Sequence, residues 1–78
     1  MITPFKDIKG VRIQIDDWVI YNKNPYRVRV NYFDDSLGIG ELIIFNQKEK
    51  HLLKDVYDKC VVINEAIALD LLEAHGYL

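Results

Sequence analysis

The sequence predicts a mainly β protein: a small, strongly bent sheet of five strands rolled into a barrel, with one α-helix at its C-terminal end. Three observations carry this expectation. Short runs, above all Tyr26 to Phe33, alternate apolar and polar residues with a period of two. Clusters of Asp, Asn and Gly separate those runs at close spacing, as turns do. Only after Asn64 does the apolar period lengthen to that of a helix.

In chain order, Met1 to Lys6 reads as an extended lead-in, because Pro4 forbids helix around it. Phe5 would cover a barrel end. Val11 to Ile15 alternates strictly, with Val11, Ile13 and Ile15 on one face, and Gly10 before it suits a tight turn. Asp16-Asp17 is a turn, Trp18 to Tyr21 a short strand and Asn22 to Pro25 a second turn. In the next strand Tyr26, Val28, Val30 and Tyr32 face one way; Arg27, Arg29 and Asn31 face the other. Asp34 to Gly38 is a loop with Leu37 at its tip. Ile39 to Phe45 is a strand with Gly40 at a bend. His51 to Lys54 and Cys60 to Ile63 are the last strands, joined through a helical turn at Asp55 to Lys59.

Asn64 is a good N-cap and Gly76 a good residue just past a helix end, so a helix is expected over about 64–75. Ile67, Ala68, Leu71, Leu72 and Ala74 form its apolar arc, which must dock on the barrel. Leu69 falls outside that arc, and Tyr77 and Leu78 lie beyond the glycine. These three are the expected contacts with a second copy of the chain. The plan of strand, long hairpin, strand, strand, helical turn and strand is that of an SH3-like barrel. An open meander with a packed helix is the alternative.

The 78 residues make one domain, 1–78, with the barrel over 6–63 and the helix over 64–75. Half of the residues are hydrophobic, a generous share for this length. Cys60 is the sole cysteine, so an internal disulfide is excluded, and with two histidines it does not make a four-ligand zinc site. No metal or cofactor is expected. The net charge of −2 predicts no general attraction to nucleic acid or anionic membrane. Its distribution is uneven: residues 1–30 hold six basic against three acidic side chains, and 31–78 hold four against nine. No apolar stretch approaches the roughly 20 residues of a membrane helix, and the first residues lack the basic and apolar regions of a signal peptide. A cytoplasmic protein is expected.

The stretch Asp7 to Tyr21 resembles the opening of small phage and prophage proteins, written Asp-x-x-Gly-x-x-Ile-x-x-Gly-Asp-x-Val-x-Tyr. Asp7, Gly10, Ile13, Asp17, Val19 and Tyr21 match it; Asp16 stands where the glycine would be. The resemblance covers about 15 residues, at turn and core positions, and implies an SH3-like barrel. It transfers no catalytic residue. Most proteins with this opening have no assigned activity; binding and inhibiting a host protein is a common role among small phage proteins, and a phage-encoded inhibitor is the expectation by that association.

No catalytic motif stands out, so no enzyme is expected. Cys60 precedes Val61-Val62-Ile63 and reads as a buried, inert thiol, and His75 as a complement to the helix dipole. Asp16, Asp17, Asp34 and Asp35 lack the spacing of a calcium loop. The expected function is therefore non-enzymatic protein binding that occludes a host enzyme or defence complex. Trp18, Leu37, Tyr21, Arg27 and Arg29 are the expected contacts. The rival is a nucleic-acid-binding barrel using Arg12, Arg27 and Arg29. A third reading is a small oligomeric phage component held through the helix.

Overall fold

A computed structural model describes residues 2–34 and 39–77. The described residues form seven strands: β1 (Ile2–Lys6), β2 (Arg12–Gln14), β3 (Trp18–Tyr21), β4 (Asn24–Asp34), β5 (Ile39–Phe45), β6 (Lys50–Leu52) and β7 (Val61–Ile63). A short helix α1 (Leu53–Val56) and a 3-10 turn (Tyr57–Lys59) join β6 to β7, and α2 (Glu65–Ala74) follows. Both sheets are antiparallel, one of β1 and β2, the other in the order β6-β5-β4-β3-β7.

Two features differ from the sequence expectation. The lead-in is a strand: β1 pairs with β2 across a register shift, and Pro4 is tolerated because β1 lies at a sheet edge. The five-stranded sheet is open rather than a sealed barrel, since β6 and β7 end it without pairing to each other. The helical segment from Leu53 to Lys59 connects those two edges instead.

Alternation along the strands sets the core. Val19, Tyr26, Val28 and Ile44 point to one face of the large sheet and are buried with Ile13, Leu53, Val56 and Cys60. Phe5 reaches the same cluster from β1, its ring tilted against Tyr57 with centres 4.9 Å apart. The opposite face carries Trp18, Arg27 and Phe45, and α2 packs there against β3 and β4.

The capping signals of α2 fall where the sequence places them. Asn64 Oδ1 accepts from Ile67 N at 2.8 Å. At the other end Tyr77 N donates to Leu72 O at 2.8 Å and Gly76 N to Glu73 O at 3.1 Å, with Gly76 at φ +78°. The docking face is narrower than the expected arc: Ala68 and Leu72 are buried, whereas Ile67 and Ala74 are exposed. Tyr77, expected to be exposed, is buried because the glycine turn folds it back onto the sheet.

The opening pattern is structural at every matched position. Asp7 is buried; its Oδ1 accepts from Lys9 N and Val11 N at 2.9 and 2.8 Å, and its Oδ2 from Val62 N at 2.9 Å. One carboxylate thus closes the β1–β2 turn and blocks the free edge of β7. Gly10 sits at φ +82°. Asp16, which stands at the glycine position, sits at φ +75°, a region that Asp enters more readily than most residues. Asp17 Oδ2 accepts from Gln14 N at 2.8 Å, and its carbonyl accepts from Val28 N at 2.9 Å.

Asn22 and Lys23 have φ of +52° and +68°, so the β3–β4 hairpin closes through a two-residue type I′ turn. Lysine is a poor second residue for that turn. Lys23→Gly is expected to raise unfolding free energy by about 0.5–1 kcal/mol. Urea denaturation checks this; a loss of stability would contradict the assigned turn.

Candidate functional site: a groove between the sheet and the C-terminal helix

Register places three expected or unexpected contact residues in one row. Trp18 on β3 pairs with Arg27 on β4, which pairs with Phe45 on β5. The Arg27 guanidinium lies 5.0 Å from the Trp18 ring centre, a cation–π arrangement. Its Nε is buried and finds no hydrogen-bond partner among the described residues. Arg29 stands two residues further along the same face and pairs with Asp16; both side chains are about half exposed.

A cleft of about 290 Å³ opens between this row and α2, lined by Trp18, Arg27, Arg29, Phe45, Asn46, Gln47 and Leu72. A shallower groove of about 530 Å³ adjoins it and shares Arg29, Phe45, Asn46 and Gln47; Lys48 and Lys50 extend its rim. On the other side of Trp18 and Arg27 lies a polar cleft bearing Asp16, Asp17 and Glu65. The Trp18–Arg27 stack therefore separates a basic, apolar-floored groove from an acidic one.

The groove wall is preorganised. Asn46 Oδ1 accepts from Lys48 N and Glu49 N at 2.9 and 3.0 Å, and its Nδ2 donates to Pro25 O at 3.2 Å. The Tyr26 hydroxyl donates to Glu49, pinning the same turn to the core. That bond, with His51 beside it, holds the Glu49 carboxyl below its ordinary range. Burial, reinforced by Glu49, holds the Tyr26 phenol well above its own. Gln47 Nε2 then donates to Tyr77 O at 2.8 Å, which ties the turn to the end of α2.

Of the expected contacts, Trp18, Arg27 and Arg29 come together here. Tyr21 does not: it lies on the core face, 5.1 Å from His51 and 5.9 Å from Tyr26, ring centre to ring centre. Positions three apart in a strand face opposite ways, so alternation already separates Tyr21 from Trp18. Arg12 is on β2 in the other sheet, within reach of Thr3 O, so it does not join the other two arginines on one face. Leu37 and Leu78 lie outside the described residues. Leu69 is exposed on α2, whereas Tyr77 is used inside its own chain. Phe45, Gln47 and Leu72 were not expected at a site. Only the pairing register and the docking of α2 bring them to it.

The Cys60 thiol is fully buried and donates to Val56 O at 3.3 Å. Burial, with Asp7 and Asp58 nearby, pushes its pKa up to about 12, which removes it as a nucleophile at neutral pH. Among the described residues no helix is long and apolar enough to cross a membrane. Comparison with family models, with characterised proteins and with solved structures returns no match.

Proposed function

We propose that this chain is a non-enzymatic protein-binding module that covers a partner's surface with the groove beside α2. The observation that carries this reading is the Trp18–Arg27–Phe45 row beside a preorganised cleft. Aromatic residues and arginine are the side chains that dominate protein interfaces. The cleft volume, about 290 Å³, lies at the lower end for ligand sites and suits one anchoring side chain better than a large cofactor. The strand order supports an SH3-like plan, with the helical turn between the fourth and fifth strands of the large sheet and the barrel seam left open. The resemblance of the opening stretch suggests a phage-encoded protein acting on a host enzyme or defence complex by occlusion.

A photoreactive phenylalanine analogue at position Lys50, on the groove rim, tests this in cell lysate. The expected result is one crosslinked partner, lost in both Trp18→Ala and Phe45→Glu while far-UV circular dichroism stays unchanged. Absence of a crosslink, or a crosslink indifferent to both substitutions, would overturn the reading.

A further inference from the structure

Basic side chains outnumber acidic ones around the groove. Arg27, Arg29, Lys48 and Lys50 line it, against Glu49, which is already held by Tyr26 and His51. The floor between them is apolar, made of Trp18, Phe45 and Leu72. Arg27 lines the cleft with its guanidinium over the Trp18 ring, while its Nε–H is enclosed by the fold. Arg29 has a partner, but that partner is Asp16 of the same chain. Asp16 reaches it from the turn before β3, at a φ of +75°.

We propose that the groove binds an acidic peptide segment of a partner, and that Asp16 occupies Arg29 as an internal stand-in for the partner's carboxylate. The proposal rests on the protein-binding reading above and names the chemistry of the partner. An apolar or aromatic side chain of the segment enters the cleft beside Leu72 and Phe45. A flanking carboxylate takes Arg29 from Asp16, and a second lies beside the Arg27 guanidinium at the cleft. The exchange at Arg29 costs no more than a few-fold in affinity, because exposed ion pairs contribute little net and are screened by salt. A carboxylate held in the groove is less screened by salt than the exposed pair it replaces. The neighbouring cleft with Asp16, Asp17 and Glu65 repels the same segment, which sets one direction along the sheet for it.

Three probes test the proposal on the full chain. The first is a fluorescein-labelled peptide with a central Phe flanked by Glu residues. The second is the same peptide with Gln for every Glu. The third is a single-stranded oligothymidylate of similar length. Anisotropy gives affinities, and amide shifts give the footprint. The Glu peptide is expected to bind and to shift Trp18, Arg27, Arg29, Phe45 and Gln47. The Gln peptide is expected to bind about tenfold more weakly. Asp16→Asn keeps a residue that tolerates positive φ and frees Arg29; it should tighten the Glu peptide by about three- to fivefold. Arg29→Gln should abolish that gain.

Equal affinity for the Glu and Gln peptides, absence of binding, or no effect of Asp16→Asn would overturn the acidic-segment proposal. Tighter binding of the oligothymidylate at the same residues would also overturn it and assign the groove to nucleic acid. If the peptides fail while the Lys50 crosslink persists, only the partner chemistry falls. If both fail, the protein-binding reading falls with it.

Discussion

Asp7→Ala is expected to lower the unfolding free energy by about 3 kcal/mol. The variant strips three backbone N–H groups, those of Lys9, Val11 and Val62, of their acceptor at once. For 78 residues the entire folding free energy is on the order of 4–12 kcal/mol, so such a loss leaves a marginal fold. The melting temperature should fall by roughly 12–24 °C. Asp7→Asn is expected to be costly too. Its carbonyl oxygen replaces one carboxylate oxygen, but its amide nitrogen then faces the Val62 N–H, donor against donor. Denaturation of both variants checks this; a loss below about 1 kcal/mol in Asp7→Ala would contradict the role assigned to the carboxylate.

The same residue gives the protein an acid sensitivity of known sign. Burial raises the Asp7 carboxyl, but the bonds from Val62, Val11 and Lys9 outweigh it and hold it below the ordinary value of 3.8. A carboxyl whose folded pKa is depressed stabilises the fold fully above its unfolded pKa. That stability drains away as pH falls through the folded value. Wild-type stability should therefore decline below about pH 4, and the decline should be shallower in Asp7→Asn.

Ile13→Ala is the second large effect, expected at about 3 kcal/mol. Ile13 is the fully buried residue through which the two-stranded sheet joins the main core. Its carbonyl also accepts the buried Thr3 hydroxyl at 2.7 Å, so the same residue anchors β1. Truncation leaves a cavity at the junction of the two sheets. Ile13→Val should cost only about 1 kcal/mol, and the ratio between the two separates a packing effect from a change in strand propensity. If β1 and β2 merely rest on the large sheet, both variants will unfold at the wild-type denaturant midpoint, and the single-core description fails.

Much of this architecture is legible in the order of residues alone. Strict alternation in Tyr26 to Val30 assigns the faces of β4, and the structure buries Tyr26 and Val28 while Arg27 and Arg29 point away. Asn64 and Gly76 mark the ends of α2, because capping is chemistry between near neighbours. The buried thiol of Cys60 follows from its apolar run. The alternation of Trp18 and Tyr21 likewise holds the information that they cannot share a surface.

What the order of residues left open was everything set by pairing at a distance. Whether Ile2 to Lys6 dangles or pairs depends on β2 offering an edge, a contact invisible to local pattern. Whether the sheet closes depends on how the helical segment from Leu53 to Lys59 spans from β6 to β7. The glycine turn folds Tyr77 back, but what it meets there, including Gln47 thirty positions earlier, is set by tertiary structure. Phe45 meets Arg27 only through the register of β4 on β5. Local chemistry, acting over a few residues, determined strands, turns and caps by itself. The groove is made by long-range register and helix docking, which depend on the shapes of surfaces that exist only once the chain has folded.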